Sequence, residues 1–230
     1  MASQDLFELL TGQTERHLVP CWSGHLVHAQ VLPALEELRQ AAMQAGFELA
    51  IASSYRSYQR QLSIWKAKAA GQRPLFADNG TALDSADLSE EQILERILRW
   101  SALPGTSRHH WGTDLDVYDA AAMPADYQLQ LTPEECEGLF KAFHGWLDDC
   151  INSGDSHGFF RPFDLDRGGV APEPWHLSYR PLADSFARSF DFDAFQRLMA
   201  QGEWPLLEWI KPRAQEIYQR YVAPEGATLC

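Results

Sequence analysis

The chain has 230 residues, with 19 Lys and Arg against 32 Asp and Glu, a formal charge of −13. That length builds one large domain or two small ones, and 45% hydrophobic with 12% aromatic residues excludes a disordered chain. The acidic balance excludes a nucleic-acid binder, which needs a basic face for phosphates, and argues equally against docking on an anionic membrane.

Cys21, Cys136, Cys150 and Cys230 are widely scattered, so neither a disulfide framework nor a cysteine-based metal finger is expected. The first twenty residues lack the basic start and apolar run of a signal peptide. No stretch approaches the roughly 18 apolar residues of a membrane span. The expectation is a cytoplasmic protein without membrane insertion.

In chain order, residues 30–45 place Leu32, Leu35, Leu38 and Ala42 at helical spacing, with Gly46 as the stop. Phe47–Ser53 reads as a short buried strand, and a helix follows from about Tyr58 to Ala70. Residues 71–88 read as a long loop. Ser89 opens a helix to about Trp100 with a Ser-x-x-Gln cap. The segment 103–112 is irregular, and residues 113–119 alternate like a half-buried strand. Thr132-Pro133 starts a helix expected to run to about Asn152. Short strands are expected near Gly158–Phe163 and Trp175–Ser178, and a helical tail from Pro181 is expected to break at Gly202 and Pro212. Helices outnumber strands without a βαβ rhythm, which predicts an α+β fold.

Three polar clusters carry the chemistry: residues 54–61 (SYRSYQRQ), 107–116 (SRHHWGTDLD) and 173–176 (EPWH). His109 and Asp116 offer an imidazole and a carboxylate, with Gly112 between them to let the chain turn. On a strand, Asp114 and Asp116 share one face. His176 adds a second imidazole, and Glu173 can stand beside a metal without ligating it. Two histidines and a carboxylate with an open position make a catalytic zinc set, although other divalent metals accept the same donors. Each feature also has an ordinary reading: strand-end carboxylates, a turn with a packed Trp, and an Arg56 paired with one of many acids.

Together, S-x-H-x-x-G-x-x-x-D (Ser107, His109, Gly112, Asp116), E-P-W-H and the upstream S-x-Y-R-S-x-x-x-Q (Ser53 to Gln61) resemble the zinc D-alanyl-D-alanine carboxypeptidases of the VanY type. The resemblance spans about residues 30–180 and implies a single zinc peptidase domain over 1–230. It implies a small antiparallel sheet carrying the zinc site, flanked by helices, with extra helical segments at both ends. It also implies His109, Asp116 and His176 as zinc ligands, Glu173 as general base and Arg56 as stabiliser of negative charge. Ser107 and Gln61 are then candidates for the substrate carboxylate, and Tyr55 and Trp175 for the pocket wall. Arg108, His110 and Asp114 depart from the usual pattern; His110 competes with His109 as ligand, but the family register favours His109.

The implied substrates are muropeptide or peptidoglycan stem peptides ending in D-alanine. Because no export signal is seen, an L,D-carboxypeptidase acting on tetrapeptides in cell-wall recycling is expected first. A D,D-carboxypeptidase or dipeptidase and an endolysin-type endopeptidase stand as alternatives. A silent zinc-stabilised binding module fits less well, since it has no use for Glu173.

Overall fold

The computed structural model describes residues 3–78 and 80–223, so Cys230 lies outside the described residues. Helix α1 (Ser3–Leu10) leads into a hairpin of β1 (Leu18–Pro20) and β2 (Leu26–His28), then helix α2 (Leu32–Gln44) and strand β3 (Leu49–Ser53). Helix α3 (Tyr58–Ala69), the short pair β4 (Leu75–Phe76) and β5 (Ala82–Leu83), and helix α4 (Glu90–Trp100) follow. Strand β6 (Asp114–Asp119), helices α5 (Pro133–Glu137) and α6 (Lys141–Ser153), and strands β7 (Phe159–Phe160) and β8 (His176–Tyr179) complete the central part. The C-terminal part is α7 (Arg180–Ser189), α8 (Phe192–Gln201), α9 (Leu207–Ile210) and α10 (Ala214–Ile217).

The main sheet has the order β3-β6-β8-β7 and is antiparallel throughout. Period-two alternation sends Leu115 and Val117 of β6 into a core with Leu35, Leu38, Phe143 and Leu147 of α2 and α6. Asp114 and Asp116 therefore point to the other face. A second core gathers α1, α3, α4 and the C-terminal helices through Phe7, Trp65, Leu94, Ile97, Phe195 and Ile217. This is the α+β arrangement expected. No helix among the described residues is long and apolar enough to cross a membrane.

Local chemistry sets most boundaries. The Ser57 hydroxyl caps α3 by accepting from the Arg60 amide, and Ser89 and Gln92 form a reciprocal capping box on α4. Three details differ from the sequence reading. Asp114 to Val117 are buried on both faces, because the polar face is covered by the functional site instead of by solvent. The helix expected over 132–152 breaks at Gly138, whose φ of −106° and ψ of −101° are not helical. The segment 71–88 is not wholly irregular, since Leu75–Phe76 pairs with Ala82–Leu83. At Pro212 the tail breaks as expected: α9 ends at Ile210, and a 3-10 turn over Lys211–Arg213, with Pro212 in its first turn where no amide hydrogen is required, separates it from α10. An unforeseen break falls before α8, where Asp191 accepts from the Ala194 amide at 2.9 Å.

Gly112 fixes the turn that delivers the second polar cluster to β6. Its φ is +69°, and a Cβ there would stand 2.6 Å from Leu18 Cδ2 and 2.8 Å from the His28 amide nitrogen. Left-handed strain and overpacking both oppose a side chain, so Gly112→Ala is expected to remove about 2–4 kcal/mol of unfolding free energy. Denaturant titration checks this, and an unchanged midpoint would contradict the tight packing of the turn.

Candidate metal centre

The register of the sheet assembles the site. Asp116 pairs with Ser53 on β3 and with His176 on β8, so three adjacent strands meet at one carboxylate. His109 reaches the same point from the 3-10 turn Arg108–Trp111 just before β6. His109 Nε2 lies 3.3 Å from Asp116 Oδ2, and His176 Nδ1 lies 3.2 Å from Asp116 Oδ1. One ligand atom from each of the three residues falls within 4.8 Å of the others, and all three side chains are buried.

The outward nitrogens are fixed by hydrogen bonds behind them. His109 Nδ1 lies 2.8 Å from the Ser54 carbonyl, which only accepts, so the proton sits on Nδ1 and Nε2 presents a lone pair. His176 Nε2 lies 2.9 Å from Asp114 Oδ1, which leaves Nδ1 directed toward Asp116. Asp114 is held in turn by Arg108 Nε at 2.8 Å and the Thr113 hydroxyl at 2.6 Å, while Arg108 Nη2 donates to Ser178 Oγ at 2.7 Å. A carboxylate behind a ligating histidine sets its tautomer and raises its basicity.

A cation fits this trio. Asp116 Oδ1 and His176 Nδ1 are buried and lack a hydrogen-bond partner among the described residues, as ligand atoms without their ion would be. Burial works against ionised Asp116, yet the two histidines hold its carboxyl well below the usual range. Burial likewise opposes ionised Asp114, but Arg108 and His176 hold it low. For His176, burial disfavours the charged ring and is outweighed by Asp114, Asp116 and Glu173, so its pKa lies well above the ordinary value. The structure thus brings together the three side chains expected from the sequence as candidate donors.

Glu173 Oε2 is 3.4 Å from His176 Nδ1, beside the trio. Arg56 donates from Nη1 to Gln61 Oε1 at 2.9 Å and from Nη2 to Ser53 Oγ at 3.1 Å. Arg56, Ser107, Glu173 and Trp175 line one cavity of about 670 Å³ with His109, Asp116 and His176. Gln61 does not line it: this fully buried amide accepts from Arg56 and donates to the Ala102 carbonyl at 2.7 Å. Tyr55 does not wall it either. Its hydroxyl donates to the Gly12 carbonyl at 3.3 Å, and its ring lines a separate cavity of about 620 Å³ with Gln13 and Thr14. His110 is fully buried, with Nδ1 against the Arg56 carbonyl and Nε2 accepting from the Gly105 amide. Burial pushes its pKa down to about 3.

Several lining groups escaped the sequence reading. Lys68 lies on α3 seven residues after Gln61, on the same helical face as Ile64, a spacing that was readable once Arg56 and Gln61 were in hand. Arg73 comes from the segment before β4, and Tyr218, Tyr221 and Val222 from the C-terminal tail. Nothing local in the sequence marks these as pocket residues.

Comparison with known proteins agrees with this geometry. Residues 24–182 match the VanY family, described as D-alanyl-D-alanine carboxypeptidase, and the chain belongs to that family. An uncharacterised protein of Haemophilus influenzae is 42% identical over 100 residues, covering 42% of this chain and 68% of its own length. A D-alanyl-D-alanine carboxypeptidase of Enterococcus faecalis is 25% identical over 160 residues, 68% of this chain and 49% of that protein. Among solved structures, a mutant of the vancomycin-resistance D,D-pentapeptidase VanY in complex with Zn(II) superposes with a TM-score of 0.51 at 23% identity, over 72% of this chain and 81% of that one. The LD-carboxypeptidase LdcB superposes with a TM-score of 0.51 at 21% identity, over 76% and 77% of the two chains. Both likenesses are of fold.

Because Asp114 is what fixes the His176 ring, Asp114→Asn is expected to weaken divalent-metal binding by about 10–100-fold. Competition titration against a chelator measures it. Unaltered affinity would show that the ring is oriented by packing alone.

Proposed function

We propose that the chain is a zinc metallo-carboxypeptidase that removes the C-terminal D-alanine from peptidoglycan stem peptides, with the L,D cut on tetrapeptides as the preferred reaction. The single observation that carries this is the buried His109–Asp116–His176 trio, with Glu173 and Arg56 beside it in one cavity. Family membership supports the reaction class, and the Zn(II) complex of the fold neighbour supports the metal. The cavity of about 670 Å³ has room for a stem peptide with a long side chain close to its terminal alanine.

His109 Nε2, an Asp116 oxygen and His176 Nδ1 would hold the ion. Zinc supplies Lewis acidity there, polarising a carbonyl and lowering the pKa of water toward about 7. Glu173 takes a proton from the attacking water and returns it to the departing amine nitrogen of D-alanine as the carbon–nitrogen bond breaks. Arg56, kept in place by Gln61 and Ser53, faces the negative charge that develops on the carbonyl oxygen. Ser107 and Trp175 shape the wall against the peptide.

Purified, zinc-loaded protein incubated with tetrapeptide and pentapeptide stems, with D-alanine followed by mass spectrometry, tests the reading. Release from the tetrapeptide is expected. Release from the pentapeptide alone would make it a D,D-enzyme, cleavage inside the stem an endopeptidase, and no cleavage by metal-bound protein a silent site. Two variants separate the roles. Glu173→Ala is expected to keep zinc and lose at least about a hundredfold in kcat, whereas His109→Ala loses metal and activity together. A metal-free, active His109→Ala protein would contradict the ligand assignment.

A further inference from the structure

The cavity holds more positive charge than removal of one D-alanine uses. Arg56 faces the reacting carbonyl or the single terminal carboxylate, and Lys68 and Arg73 line the same space. Lys68 Nζ donates to the Ser101 hydroxyl at 2.6 Å, and no carboxylate stands within ion-pair distance of Lys68 or Arg73 among the described residues. Burial pushes Lys68 down to about 8; Glu173 attracts it, and Arg73 and Arg56 repel it. It therefore keeps its charge at neutral pH. The lining carboxylates Asp116, Glu134, Glu173 and Asp191 form no ion pair with Lys68 or Arg73 among the described residues, so the two neighbouring cations repel one another and lose solvation without a direct counter-charge. An anionic group of the ligand resolves that imbalance.

We propose that Lys68 and Arg73 form a subsite for a second carboxylate, carried by the side chain of the residue next to the scissile bond. The substrate class is then a stem peptide whose third residue is a diamino dicarboxylic acid. A stem with lysine at that place presents only an ammonium, which the same two cations repel, so the subsite selects by attraction and by repulsion. This deepens the carboxypeptidase reading above and rests on its L,D cut, which sets that residue at the scissile bond.

The test compares zinc-loaded wild type, Lys68→Met and Lys68→Arg on two tetrapeptide stems, one with the diamino diacid and one with lysine. Calorimetry of the corresponding tripeptide products reads the subsite without turnover. Wild type is expected to favour the diacid stem at least tenfold in kcat/KM and the diacid product similarly in Kd. Lys68→Met is expected to collapse that ratio toward one, and Lys68→Arg to retain most of it. Equal binding and cleavage of the two series by wild type would overturn the subsite while leaving the carboxypeptidase intact. An equal loss on both series in Lys68→Met would overturn it too, placing Lys68 on the terminal carboxylate. A binding preference without any cleavage would keep the subsite and sink the reaction.

Discussion

The buried contact between Asp114 and His176 is the constraint on which the site depends. A carboxylate with no solvent exposure stays ionised there because Arg108, Thr113 and His176 surround it. In return it occupies His176 Nε2 and turns the other nitrogen toward Asp116. The Arg108 guanidinium is positioned 4.7 Å over the Trp111 ring, so the electrostatic chain is also packed. Without Asp114 the imidazole has two equivalent ways to present itself; with it, one.

Segments outside the family match buttress this centre. At the N-terminal side, Gly12 accepts from the Tyr58 amide at 2.8 Å, and a Cβ on it would stand 2.4 Å from His110 Nδ1. The absence of a side chain at Gly12 thus allows the N-terminal turn to press on the histidine that holds the Arg56 backbone. At the C-terminal side, Tyr218, Tyr221 and Val222 close part of the cavity wall. Gly169 meets that tail closely: a Cβ there would lie 1.9 Å from the Arg220 carbonyl oxygen. The tail therefore bears on the loop leading to Glu173 and shapes the space available to a peptide.

The candidate donors were legible in the sequence because they lie on short motifs whose geometry is local. A strand places Asp114 and Asp116 on one face, and a glycine-ended turn sets His109 just ahead of them. Asp114 also stood out there as a departure from the family pattern, but its bond to His176 depends on a pairing 62 residues away. Gln61 and Tyr55 were misassigned for a related reason: a motif marks residues near a site without telling which point into it. Gln61 turns to Arg56 and the Ala102 carbonyl, and Tyr55 to the N-terminal turn. Arg73 and the tail tyrosines come from distant stretches of chain, and only tertiary packing brings them together. The helix break at Gly138 shows the same limit at the level of secondary structure: the Thr132-Pro133 start marks where a helix begins, not where the backbone turns out of it.

The measurement that tests the account most directly is a crystal structure of the zinc-loaded protein with the metal located by its anomalous signal. One ion per chain is predicted, held by His109 Nε2, an Asp116 oxygen and His176 Nδ1, with Asp114 still bonded to His176 Nε2. An ion bound through His110, or through the Nε2 of a flipped His176, would contradict it.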